Sequence, residues 1–194
     1  MSNAIVIAAL VASAGAGSRD AGTDLVLQYD DGTASSLTWG GLDRGVWFDA
    51  GDFVAGASGI ELSALEFWFF HHASYPWDTA SFYAELYNGG SGGPAALLAE
   101  TSVTATHMTP VYAQYDPPVT AEPEFWSIMN TSFSAGGWPS IACDPAPTSP
   151  PHSFYWSGSA WVPASGDYLA RAHGEAVLGL EETTWGCVKV LFSR

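Results

Sequence analysis

From residue 25 onward no stretch of the chain keeps apolar residues at helical spacing, whereas short aromatic-rich runs recur, each closed by Gly, Pro, Asp or Asn. The runs are Leu25 to Tyr29, Ser36 to Trp39, Gly45 to Phe48, Ile60 to Phe70, Ser81 to Tyr87, Leu97 to Thr104 and Val111 to Tyr115. Phe125 to Phe133, Ser140 to Cys143, Ser153 to Trp156, Ala160 to Val162, Tyr168 to Ala172, Val177 to Leu180 and Cys187 to Phe192 follow. Such a series predicts an all-β fold, a single antiparallel β-sandwich of jelly-roll-like form. With 194 residues, 21 Gly, 12 Pro and 27 aromatic residues (9 Trp, 8 Tyr, 10 Phe), the chain suits one domain of strands joined by tight turns. The expected domain spans 22–194, ending in a C-terminal strand or tail.

Twenty acidic residues against five basic ones give a formal charge of −15. Arg19, Arg44, Arg171, Lys189 and Arg194 are too few and too scattered to neutralise a phosphate backbone, so nucleic acid is not an expected partner. An anionic membrane surface is equally disfavoured, while neutral glycans remain compatible. Residues 1–18 hold a short apolar run ending in Ala12-Ser13-Ala14, the small-x-small pattern of a signal peptide cleavage site. The run is too short to cross a bilayer and no later one is longer, so no membrane span is expected. A secreted or cell-surface location follows as the expectation. Cys143 and Cys187 are the only cysteines and lie in no zinc or redox spacing. In an exported chain they are expected to form a disulfide, because Cys187 shares the Lys189 face of its strand while Val188 and Val190 face inward.

Alternation divides two strands into faces. Leu65, Phe67 and Phe69 share one face of the first, with Glu66, Trp68 and Phe70 on the other. In the second, Phe82, Ala84 and Leu86 oppose Tyr83, Glu85 and Tyr87. Were the two strands to pair as a meander, Trp68, Phe70, Tyr83 and Tyr87 would gather into one aromatic platform flanked by Glu66 and Glu85. These six are the expected ligand-binding residues.

The order of several segments carries a resemblance. They are Tyr29-Asp30-Asp31-Gly32-Thr33, Leu65 to Phe69, the glycine-rich turn Tyr87 to Leu98, Phe125-Trp126-Ser127-Ile128, Pro139 to Asp144, His152 to Tyr155, and Gly166 to Ala172. Over about residues 25 to 173 the chain resembles an uncharacterised accessory β-sandwich (jelly-roll-like) domain of secreted multidomain bacterial proteins. The resemblance implies a domain appended to secreted enzymes or surface proteins, with no catalytic residues to carry over. The tail Glu182 to Phe192 is similar to C-terminal segments of such proteins, as a last strand or a sorting signal.

Asp30-Asp31-Gly32 reads as a self-capping turn; a calcium site drawing on Asp30, Asp31, Asp49 and Asp52 is the alternative. On a regular strand His71 and His72 point to opposite faces and cannot chelate together, so neither metal nor cofactor is expected. Asn88 to Gly93 lacks the Lys and Ser/Thr of a phosphate loop and reads as a hairpin connection. No Gly-x-Ser-x-Gly elbow occurs and no carboxylate pair can be assigned, so the expectation is not an enzyme. The leading function is a non-catalytic extracellular module, carbohydrate-binding or a surface accessory, with a glycan or cell-surface protein as partner. A structural surface or assembly component is the first alternative and a secreted hydrolase the second.

Overall fold

A computed structural model describes residues 25–34, 36–38 and 43–179. The expected signal segment 1–18, the tail and Cys187, the expected disulfide partner of Cys143, lie outside the described residues. Cys143 itself is buried on a short strand.

Thirteen strands are described: β1 (Leu25–Leu27), β2 (Ser36–Leu37), β3 (Arg44–Asp49), β4 (Ala57–Phe67), β5 (Ser81–Asn88), β6 (Ala96–Thr104) and β7 (Val111–Ala121), followed by β8 (Glu124–Asn130), β9 (Ala142–Asp144), β10 (Ser153–Trp156), β11 (Trp161–Pro163), β12 (Asp167–Tyr168) and β13 (Ala170–Leu178). Among the described residues the one helical element is a 3-10 turn at Ala50–Asp52. The strands form a four-stranded sheet ordered β1-β13-β4-β7, a six-stranded sheet ordered β11-β10-β3-β8-β5-β6, and a small sheet β12-β9-β2. Every ladder is antiparallel. The protein is an all-β sandwich.

The predicted alternation holds, and it decides where the strands sit. Leu65, Phe67 and Phe69 point inward from the smaller sheet side, and Phe82, Ala84 and Leu86 point inward from the larger sheet; all six are buried. Phe82 meets Phe67 edge-on at 5.3 Å between ring centroids and Phe69 at 5.1 Å. Two apolar faces in contact belong to opposite layers. The expected β4–β5 meander is therefore corrected: β4 pairs with β13 and β7, β5 with β6 and β8. Residues 68–80 carry the chain from one layer to the other, so the outward faces of β4 and β5 look away from each other.

Short local hydrogen bonds set the turns. Gly32 N donates to Asp30 Oδ1 at 2.9 Å and Thr33 N to Asp31 Oδ1 at 2.7 Å, the self-capping geometry read from the sequence. Asp49 caps the 3-10 turn by accepting from Gly51 N, and Asp52 accepts from the Tyr29 hydroxyl at 2.8 Å. Thus the acids of the calcium alternative are engaged by protein donors. Among the described residues no group of three or more His, Cys, Asp or Glu is placed to hold a metal ion. His71 and His72 lie beyond the end of β4 rather than on it, packed on Trp77 and Tyr75 respectively.

Candidate functional site on the outer face of the larger sheet

The six residues expected to share one platform fall into three places. Glu66 and Trp68 belong to the outer side of the four-stranded sheet, where Arg171 binds Asp30 through two hydrogen bonds (2.8 and 3.2 Å) and Glu66 through one (3.2 Å). His173 Nε2 lies 2.7 Å from Glu66 Oε2, the Trp68 indole N–H donates to Glu66 Oε1, and the guanidinium stands 6.0 Å from the Trp68 ring centre. Burial pushes the Glu66 carboxyl up, yet the hydrogen bonds from His173 and Trp68 and the charge of Arg171 outweigh it and hold the group below its ordinary value. Here the acid is saturated by the protein's own groups. Phe70 follows the end of β4 and packs edge-on against His107 at 5.1 Å, apart from both faces.

Tyr83, Glu85 and Tyr87 stay together on the outward face of β5, as alternation requires. Directly opposite on β8 stand Asn130, Ile128 and Trp126. The face continues across β3 to β10, where Phe154 lies opposite Gly45, and on to β11, where Trp161 lies opposite Trp156. Gly45 leaves room for the indole: a Cβ there would stand 3.0 Å from Trp126 Cε3. Trp126, Ile128, Phe154 and Trp47 make a second apolar cluster separate from the main core, with Tyr87 and Trp161 packed against it.

Above this cluster lies a concave site of about 260 Å³ lined by Asp43, Glu85, Tyr87, Pro94, Ile128, Asn130, Trp156 and Trp161. Its floor is β5 and β8. One wall is the glycine-rich β5–β6 connection, fixed because Trp126 Nε1 donates to Gly90 O at 2.9 Å. The other is the β10–β11 hairpin, whose Trp156 and Trp161 rings lie 5.7 Å apart and tilted; its turn is closed by Ser157 N donating to Ala160 O at 2.9 Å. Tyr87, Trp156 and Trp161 are each half-buried and line the concavity.

Glu85 is the polar centre of the site and only 6% exposed. Asn130 Nδ2 donates to Glu85 Oε1 at 2.6 Å. Burial raises the carboxyl's pKa against the hydrogen bonds from Asn130 and Tyr87, and the negative charges of Glu100 and Asp43 raise it further. The same surroundings push the Tyr87 hydroxyl up to about 12, burial first and the Glu85 charge next. A carboxyl raised in the fold is bound more tightly to its proton there than in the unfolded chain. Stability is therefore full below the ordinary carboxyl value of 4.5 and declines as pH rises through the folded value. Glu85→Gln keeps an acceptor for Asn130 and carries no charge. Its melting temperature should match the parent's in acid and exceed it at neutral pH, and parallel melting curves across pH would contradict this electrostatic account.

Of the expected residues Glu85 and Tyr87 line the concavity and Tyr83 lies beyond it on the same strand face, while Asp43, Asn130, Trp156 and Trp161 were not singled out from the sequence. The signal for the two tryptophans is present: Trp156 and Trp161 flank Ser157-Gly158-Ser159-Ala160 between two short strand patterns, and cross-strand partners of a tight hairpin share a face.

No protein-family model matches the chain, and no curated protein does. The site's chemistry alone therefore carries the functional argument. Three half-exposed aromatic rings around a carboxyl and a carboxamide offer flat apolar surfaces beside hydrogen-bond donors and acceptors.

Proposed function

We propose that the protein is a non-catalytic carbohydrate-binding module that takes a neutral glycan on the outer face of its six-stranded sheet. The observation that carries this reading is the grouping of Tyr87, Trp156 and Trp161 around Glu85 and Asn130 in one open concavity. Sugar rings present C–H faces that stack on aromatic rings and hydroxyls that pair with carboxyl and amide groups. The net charge of −15, with Asp43, Glu85 and Glu100 at or beside the site, favours uncharged polymers over polyanionic ones. The apolar run ending in Ala12-Ser13-Ala14 is compatible with an exported, surface-directed role alongside this binding.

Retention on insoluble cellulose, chitin and xylan, read by pull-down and affinity electrophoresis, tests the proposal. Wild type should be retained by at least one polymer. Trp161→Ala should weaken retention roughly tenfold or more, the effect of losing about 1.4 kcal/mol or more from a central aromatic anchor. Absence of wild-type retention on every polymer overturns the reading, as does undiminished retention of Trp161→Ala. Release of reducing sugar from the bound polymer would make the protein a hydrolase instead.

A further inference from the structure

The concavity ends at Asn130, but the aromatic surface of the sheet does not. Tyr83 lies on the same outward face of β5 as Glu85 and Tyr87, directly opposite Asn130 in the β5–β8 ladder. Tyr87 lies four positions further along, or roughly 13 Å along the strand at about 3.3 Å per residue. The Tyr83 ring is stacked with Phe133, centroids 4.2 Å apart and planes 28° from parallel. Phe133 is 44% exposed, so the pair presents aromatic surface to solvent rather than filling the core. Glu85 and Asn130, joined by their 2.6 Å hydrogen bond, stand between this pair and the Tyr87, Trp156 and Trp161 group.

The segment bearing Phe133 is fixed in advance. Thr131 N donates to Asp43 Oδ1 at 2.9 Å, and Ala135 N donates to Asp78 Oδ2 at 2.9 Å with the Ser134 hydroxyl on Asp78 Oδ1. Asp43 thereby serves both parts of the surface, lining the concavity and holding the start of the Phe133 segment. A prearranged aromatic pair avoids the ordering entropy a mobile one loses on binding.

We infer that Tyr83 and Phe133 form a second sugar-binding station, so that the site takes an internal stretch of a neutral polysaccharide running along β5. The inference rests on the carbohydrate-binding reading and adds the ligand's length and direction to it. Two aromatic stations at that separation need more than one sugar ring to bridge them, with Glu85 and Asn130 meeting hydroxyls between them.

Isothermal titration with soluble cello-, xylo- and chito-oligosaccharides, from disaccharide to hexasaccharide, tests it. In at least one series the wild-type affinity should climb roughly tenfold or more as the chain becomes long enough to reach both stations. Phe133→Ala, a change in an exposed segment, should abolish that climb while leaving the disaccharide affinity near the parent's, and Tyr83→Ala should act alike. Trp161→Ala should instead lower affinity at every length. Wild-type affinity that is independent of length, or a climb that survives in Phe133→Ala, overturns the second station and leaves the concavity reading standing. Failure of every series to bind wild type overturns both.

Discussion

Arg171→Leu should destabilise the domain by about 3–5 kcal/mol, the range found when one partner of a buried ion pair is removed. The guanidinium serves two carboxylates at once, with hydrogen bonds of 2.8 and 3.2 Å to Asp30 and 3.2 Å to Glu66. The Asp30 side chain is fully buried and that of Glu66 nearly so, so neither can turn to water when the cation goes. For a domain of this size the change corresponds to a fall of roughly 6–20 °C in melting temperature. Acid should narrow the gap. Glu66 is held below its ordinary value of 4.5, so its share of the stability is present above that pH and is lost as pH falls through the folded value. Adding Asp30→Asn to Arg171→Leu removes one stranded charge and should recover part of the loss. A single variant that melts with the parent would show that the pair contributes nothing net.

Trp126→Ala should destabilise by a similar amount, about 3–5 kcal/mol, and should also weaken glycan retention although the side chain is fully buried. Trp126 is the support common to both walls of the concavity. Its N–H holds the Gly90 carbonyl of one wall, and its ring packs at 5.3 Å from Trp161 of the other and at 5.1 Å from Phe154. Truncation leaves a void under Trp161 and frees the glycine-rich connection. Trp126→Phe refills much of the void but lacks the N–H, so denaturant unfolding should place it between the parent and Trp126→Ala. Trp126→Ala retained on polymer as well as the parent would show that the walls stand without it.

The two glutamates show what a sequence reveals and what it leaves open. Glu66 and Glu85 both sit on the polar side of an alternating aromatic strand, and period-two patterning placed both outward with their inward neighbours in the core. Pattern is local, so it carries the face of each residue but not which strands lie beside it. Arg171 lies 105 residues from Glu66 and Asn130 lies 45 from Glu85. Burial lifts both carboxyls; at Glu66 the hydrogen bonds from His173 and Trp68 and the charge of Arg171 outweigh it, while at Glu85 the hydrogen bonds from Asn130 and Tyr87 do not. The meander expectation failed for the same reason. Nothing in the residues of β4 and β5 says that residues 68–80 cross to the other layer instead of turning back along the first.

The place of β13 bears on how the chain reaches its fold. This strand, Ala170–Leu178, lies between β1 and β4 in the four-stranded sheet, with Leu27 opposite Ala172 on one side and Leu65 opposite Ala172 on the other. The middle of that sheet is thus supplied by almost the last described residues, and its first strand has no partner until they arrive. Closing a loop between Leu25 and Gly174 must precede the pairing that rewards it, which puts the domain among the slow, topology-limited folders of the millisecond-to-second class. During synthesis the β4 edge that β13 will cover stays unpaired, with Leu62, Leu65 and Phe67 lacking half of their layer. A chain in that condition is open to intermolecular strand pairing along the uncovered β4 edge.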